Sequence, residues 1–194
     1  MARTWKFSEP LVLASASPRR KELISRVAEN VEILPADIDE STVTASSPRA
    51  LVRELSRRKA LAVKALPQCR GKVVVGADTV VFLDKLYGKP RDFDDAVRIL
   101  SALNGREHYV YTGVTVAADS GSVTFSVRSS VVFRHLSDEE IKDYVFTHRP
   151  YDKAGAYAIQ EGVVVQSYKG SLTNIIGLPV EKLSEVLRGE KWLG

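Results

Sequence analysis

Short apolar blocks alternate along this chain with longer stretches whose apolar positions recur every three or four residues, and that alternation sets the expected architecture. Residues 11–14 and 31–34 read as short strands. Between them lies an amphipathic run, residues 21–27, which Ser17 can cap and Pro18 can begin. A long helix is expected from Ser47-Pro48 to about Leu66, with Leu51, Leu55, Ala62 and Leu66 as its apolar stripe. Lys59 falls at the edge of that stripe, where a long cationic stem usually snorkels to solvent. After the breaker at residues 67–71, residues 72–81 read as a buried central strand. Its Gly76-Ala77-Asp78-Thr79 segment should deliver a single carboxylate at a tight exit, the kind of strand end that takes ligands in α/β proteins.

Further on, Gly88 and Pro90 fix the backbone around Lys89. Residues 92–103 form a helix with acids in its first turn, stopped by Asn104-Gly105. Residues 109–117 and 123–133 flank Asp119-Ser120-Gly121-Ser122 as a hairpin, with Asp119 a turn residue. Ser137 and Glu140 make a capping box for a helix to about Phe146. The last third holds a Gly/Ala-rich segment at 152–157, then Ile159-Gln160-Glu161-Gly162 and a strand at 163–165. A loop with Gly170, Ser171 and Asn174 follows, and Gly177-Leu178-Pro179 introduces a final helix to about Leu187. Strands and helices alternating around one hairpin predict a mixed α/β sheet in a single domain, residues 1–194, of two lobes.

Composition narrows the classes. With 194 residues, 44% of them hydrophobic and 27% charged, the chain has the profile of an ordinary globular protein with one substantial core. No apolar run approaches the roughly 20 residues that span a bilayer, so no membrane partner is expected. Residues 1–10 carry Arg3 and Lys6 but no long apolar block, a poor secretory signal. Cys69, the one cysteine, allows no internal disulfide and no metal cluster, so a reducing cytoplasm is expected. The net charge of +4 suits nucleic acid or a phosphorylated small molecule. Because no basic block of five appears and aromatics do not interleave with the basic residues, the expectation is a small anionic ligand and no nucleic acid.

Two clusters fit such a ligand. Ser15 and Ser17 crowd a helix start that also holds Arg19 and Arg20, and cations there oppose the helix dipole. A phosphate at the free N–H groups, closed in by the arginine forks, would account for them; a solvated basic turn is the plain alternative. Asp37-Ile38-Asp39-Glu40-Ser41 reads either as a polar loop or as hard oxygens for a divalent cation beside phosphate.

Taken in order, Ser15-Ala16-Ser17-Pro18-Arg19-Arg20, Gly76-Ala77-Asp78-Thr79, Gly88-Lys89-Pro90, Thr112-Gly113-Val114, Asp152-Lys153-Ala154-Gly155-Ala156-Tyr157 and Gly177-Leu178-Pro179 resemble the Maf family of nucleoside triphosphate pyrophosphatases, within the wider inosine triphosphate pyrophosphatase-like fold. The resemblance covers nearly the whole chain. It implies an elongated mixed sheet split by a deep cleft, a divalent cation (Mg²⁺ or Mn²⁺), and hydrolysis of a nucleotide between its α and β phosphates. Carried over by position, phosphate binding falls on Ser15, Arg19, Arg20, Lys59 and Lys89, the catalytic acid on Asp78, and metal binding on Glu40 with Asp78. In the subfamily acting on UTP and dTTP, the positions tied to selectivity correspond to Arg19, Thr79 and Gln160, and Asp152-Lys153 resembles that subfamily more than the 7-methyl-GTP one.

This chain departs from the family pattern at Ala158 and Glu161, which stand where glycines usually flank the Ile-Gln pair, so Glu161 is expected to add a charge beside the base reader. Family members often form dimers, which adds a homodimer to the expected partners. The same resemblance leaves two alternatives: a pyrophosphatase for 7-methyl-GTP or other non-standard purine nucleotides, and a non-hydrolysing, nucleotide-sensing regulator of septum formation.

Overall fold

Seven strands form one mixed sheet in the computed structural model, which describes residues 6–189. Arg3 and its neighbours in the N-terminal stretch read above lie outside the described residues. The strands are β1 (Leu11–Leu13), β2 (Val31–Ile33), β3 (Val73–Phe82), β4 (Leu86–Tyr87), β5 (Glu107–Ala118), β6 (Gly121–Phe133) and β7 (Val165–Lys169). Their order is β2-β1-β3-β5-β6-β7, with β4 also on β3. β1 runs parallel to β2 and β3, and every other pairing is antiparallel. The helices are α1 (Pro18–Ile24), α2 (Pro48–Lys64), α3 (Phe93–Leu103), α4 (Asp138–His148), α5 (Leu172–Ile176) and α6 (Val180–Leu187). No helix among the described residues is long and apolar enough to cross a membrane.

β3 organises the rest through its two-residue period. Val73, Val75 and Ala77 enter an apolar cluster with Leu11, Leu13, α1 and α6, while Val81, on the same face, enters a second cluster built on α3, α4 and β6. Thr79 is the polar interruption between them. On the opposite face Val74 packs with Val12 and Ala14 beneath Ala60 and Val63 of α2. The two lobes are thus two apolar clusters strung on one strand.

α2 lies unusually close to the sheet. A Cβ on Gly76 would sit 2.5 Å from the carbonyl oxygen of Ser56, and one on Gly113 2.1 Å from that of Val52, so only glycine lets the helix backbone descend this far. The packed stripe is Val52, Leu55, Ser56, Ala60 and Val63. Of the stripe read from the sequence only Leu55 packs as expected: Ala62 and Leu66 are exposed and Leu51 is half-buried. Ser56 and Ala60 face Gly76 because a large side chain would prevent the approach, so hydrophobic periodicity alone misses most of the packed face.

Three other expectations change. Asp78 lies inside β3 and not at its exit, because Thr79 to Phe82 continue the ladder with β5. The strand expected at 163–165 begins at Val165, after Val164 has been buried in the second cluster. Asn174 sits in α5, capped by Ser171, and is buried with its Nδ2 donating to Val110 O and Ser129 Oγ; tertiary bonds here override a poor helix former. The hairpin and the capping box form as expected. Asp119 does more than turn the chain: it takes Lys64 Nζ and the Gly71 N–H, each at 2.8 Å, tying the hairpin to the end of α2.

Candidate active site

The sheet has a gap beside β3. Pairing with β1 ends at Leu13 and Val75, pairing with β4 begins at Val81 and Tyr87, and the stretch from Gly76 to Val80 has no strand on that side among the described residues. A cavity of about 620 Å³ opens there, within the range of small-ligand sites. Asp78 and Thr79 project to opposite faces of the sheet, yet both line this cavity because it passes through the gap. Ser15, Arg19, Arg20, Glu40, Lys59, Lys89 and Gln160 line it too, so the residues singled out in the sequence share one space.

Asp78 is buried, and its cross-strand neighbour is Gly113. The close descent of α2 therefore carries Lys59 directly onto it. Lys59 Nζ meets Asp78 Oδ1 at 2.6 Å and Glu40 Oε1 at 2.8 Å. With the Lys59 and Asp78 side chains only 12% and 11% exposed, solvent screens this pair far less than a surface ion pair. Lys59 does not snorkel, as its helical position suggested. Asp78 Oδ2 takes no hydrogen bond from another described residue, which leaves it facing the cavity.

Arg20 is a cation among neutral acceptors. Its Nε donates to Gly177 O at 2.9 Å, one terminal nitrogen to Ser15 Oγ at 3.2 Å and the other to Thr79 Oγ1 at 3.0 Å. Burial pulls its pKa below the usual guanidinium value, opposed by the field of Asp78. A partly buried charge without a bonded counterion is costly, and an anion entering the cavity would relieve that cost. α1 has only seven residues, so an attraction for phosphate here would rest on this guanidinium more than on a helix dipole. Thr112 donates to Asn174 O at 2.9 Å, so Thr79 must donate to Thr112 and accept from Arg20. Thr79 thereby fixes the arginine and has no proton left to offer a base.

Arg19 is already paired, donating to Asp152 Oδ2 at 2.7 Å and to Asp152 O at 3.2 Å. Lys153 Nζ lies 2.9 Å from Asp152 Oδ1. Burial raises the Asp152 pKa, but the bonds from Lys153 and Arg19 outweigh it and bring the carboxyl to about 2. Gly88 O accepts from Gly155 N at 3.0 Å, which binds the Lys89 segment to the turn after Asp152; Lys89 itself is exposed and makes no ion pair among the described residues. Gln160 stands exposed on the 3-10 turn Ile159–Glu161. Glu161 does not crowd it: its carboxylate turns to the Tyr144 hydroxyl and toward His148 and does not line the cavity.

The donor set can be tested for a divalent cation. Among the described residues no three His, Cys, Asp or Glu side chains gather as a ligand group, so a metal held by protein alone does not fit. Glu40 and Asp78 do face one cavity, and one or two carboxylates with substrate phosphates supplying the remaining oxygens is how Mg²⁺ is commonly held. A cation arriving with a triphosphate fits; it would share Glu40 and Asp78 with Lys59.

Sequence reasoning did not foresee the Arg19–Asp152 latch, the Thr79–Thr112–Asn174 chain, or Tyr144. The first two join residues more than a hundred and more than sixty positions apart. Nothing local in the sequence marks the Tyr144 hydroxyl as an anchor.

Known proteins resemble this chain over most of its length. The Maf family profile, described as Maf-like protein, matches residues 10–190. A dTTP/UTP pyrophosphatase of Thermosipho africanus (strain TCF52B) is 43% identical over 91% of this chain and 91% of its own. A protein of the same name from Geobacter sp. (strain M21) is 44% identical over 92% and 94%, and another from Bacillus cereus (strain ATCC 14579) 39% over 92% and 94%. Among solved structures, a nucleoside-triphosphatase/dITP/XTP pyrophosphatase of Mycobacterium abscessus aligns over 64% of this chain and 72% of that one, with a TM-score of 0.44 and 15% identity.

Proposed function

The chain belongs to the Maf family, and from that premise we propose that it hydrolyses dTTP and UTP to the monophosphate and pyrophosphate. One observation carries the reading: Lys59 holds Asp78 Oδ1 at 2.6 Å inside a cavity that Arg19, Arg20 and Lys89 also line. In this reading the triphosphate lies along those cations, with Ser15 donating to it. Asp78, through its open Oδ2, takes a proton from water as the water oxygen bonds to the α phosphorus. The bond from that phosphorus to the bridging oxygen breaks, and pyrophosphate leaves with the electron pair. The negative charge grows on the nonbridging oxygens and the leaving group, where Arg20, Lys59 and Lys89 offset it. A divalent cation bound with the substrate would be held by Glu40 and Asp78 and would add charge neutralisation at the phosphates.

Selectivity falls to the other end of the cavity. The Gln160 amide offers one donor face and one acceptor to the O4 and N3–H edge of uracil or thymine. Turned over, it meets cytosine, so some CTP turnover belongs to the same reading. Arg19 and Thr79 contribute by closing and fixing the cationic wall. The family resemblance also brings a homodimer and a cytoplasmic setting into this reading.

The test is pyrophosphate release from purified protein with Mg²⁺ and a panel of dTTP, UTP, CTP, GTP, 7-methyl-GTP and modified pyrimidine triphosphates. dTTP and UTP should give the highest kcat/KM, with CTP following at a deficit smaller than ~10⁴-fold. Preference for 7-methyl-GTP would replace the substrate assignment. Tight binding with no release from any triphosphate would make the protein a sensor and not a hydrolase.

A further inference from the structure

The turn that carries Gln160 is held on both sides by one phenol. Tyr144, buried on α4, accepts a hydrogen bond from the Ala158 N–H at 3.2 Å and donates one to the Glu161 carboxylate. Ala158 and Glu161 are the residues immediately before and after the Ile159-Gln160 pair. The other carboxylate oxygen faces His148 Nδ1 at 3.6 Å and Lys153 Nζ at 3.9 Å, and the Tyr144 ring stacks on His148 with centroids 4.6 Å apart. The turn's own backbone bonds are two, 3.3 Å from Glu161 N to Ala158 O and 3.2 Å from Gly162 N to Ile159 O. The two Tyr144 bonds add to them a restraint from outside the turn, one at each flank of the Ile159-Gln160 pair. A glycine at 161 would leave the buried phenol without its acceptor, and a buried hydroxyl does not forgo one cheaply.

We propose that Tyr144 and Glu161 form a clamp that fixes the Ile159-Gln160 turn and so sets base affinity and base discrimination, acting as positioning residues that do not touch the nucleotide. The inference rests on Gln160 reading the base, as proposed above. Discrimination between two pyrimidine edges depends on hydrogen bonds whose strength falls steeply with angle and distance. A turn pinned at both flanks presents the amide at one depth and direction, whereas a loosened turn presents a spread of geometries that separates correct from incorrect edges less well. Binding would also have to order the loosened turn, which weakens affinity without altering the reaction at phosphorus.

The experiment compares Tyr144→Phe, Glu161→Ala and Glu161→Gln with the wild type on UTP and CTP, with inorganic tripolyphosphate as a competitor that probes the cationic end alone. Tyr144→Phe should raise the UTP KM ~10-fold with kcat within ~3-fold, the size expected from losing one well-placed buried hydrogen-bond anchor. The UTP-over-CTP ratio of kcat/KM should fall ~5-fold, while the tripolyphosphate Ki stays within ~2-fold. Glu161→Ala should move in the same direction. Glu161→Gln, whose amide oxygen can still accept from Tyr144, should recover most of that loss.

Unchanged KM and unchanged discrimination in both Tyr144→Phe and Glu161→Ala would overturn the clamp. A tripolyphosphate Ki rising in step with the UTP KM would overturn it too, since that signals general loosening of the cavity. If Tyr144→Phe does not fold, the partly exposed Glu161 decides alone through its Ala and Gln pair. Wild-type protein inactive on dTTP and UTP would sink the proposed function and the clamp with it, whereas active wild type with unaltered variants would sink the clamp only.

Discussion

At the cationic end of the cleft the charged side chains that matter most leave regular elements seated by close backbone packing, whereas at the other end Gln160 stands on a 3-10 turn held by side-chain hydrogen bonds. Asp78 and Thr79 lie inside β3, and Lys59 reaches Asp78 only because Gly76 and Gly113 let α2 approach the sheet. Ile159–Glu161 is anchored through Tyr144. The contrast suits a division of labour. Chemistry at phosphorus needs groups held to a fraction of an ångström, which a packed helix on a sheet supplies. Base choice is a smaller free-energy difference, and a turn re-anchored by a few side chains can be retuned without disturbing the chemistry.

The largest expected effect tests the cationic end. Asp78→Asn keeps the shape and a hydrogen-bond acceptor for Lys59 but removes the proton acceptor, so kcat should fall by ~10³-fold or more while nucleotide affinity stays near wild type. Steady-state pyrophosphate release with a parallel binding titration measures both. Near-normal turnover would take Asp78 out of the mechanism and erase the proposed division between the two ends.

Next comes packing. Gly113→Ala would drive a methyl to 2.1 Å from Val52 O, backbone against backbone, where neither side can yield by rotating a side chain. A loss of about 3 kcal/mol, the upper end for overpacking, is expected, and turnover should suffer as Lys59 lifts away from Asp78. Gly162→Ala, beside the Gln160 turn, meets open space but a φ of +68°, so its cost is the left-handed strain of about 1 kcal/mol. Urea denaturation of both variants measures the gap. Equal losses would mean that the two ends do not differ in packing.

How far the sequence reveals each end follows from the same contrast. The existence of the helices and strands was readable because capping residues, breakers and periodicity are local: Ser17-Pro18, Asp92 and the Ser137/Glu140 box each mark a helix start that forms where expected. The buried face of α2 was not, because its small residues answer to glycines on β3 and β5 that no local pattern connects to it. Lys59 illustrates the consequence: its helical position suggests solvent, and only the descent of α2 turns it toward Asp78. Asp78 is visible as a lone carboxylate in an apolar run, though its access to the cavity from mid-strand depends on a gap in the pairing of β3, which is a property of the whole sheet. Asn174 reads as loop from the sequence because its helix is held by Val110 and Ser129 from distant strands.

The smallest effect concerns the latch that joins the two ends, Arg19 on α1 to Asp152. The Asp152 pKa in the folded protein, about 2, lies below its ordinary 3.8. A depressed carboxyl contributes stability that is present above pH ~4 and is lost as pH falls through the folded value, since the unfolded chain then binds the proton first. Because the Arg19 and Asp152 side chains are 24% and 54% exposed, solvent screens much of the attraction. The contribution should therefore be only ~0.2–1 kcal/mol, and smaller still in high salt. Asp152→Asn should accordingly be slightly less stable than wild type at pH 5–7, with the difference narrowing below about pH 4 and vanishing near pH 2. Paired urea midpoints across that range, at low and high salt, measure it. No difference between the two proteins at any pH would mean that the Arg19 bond to the Asp152 carbonyl, which the substitution leaves intact, and not the ion pair, ties α1 to the far side of the cleft.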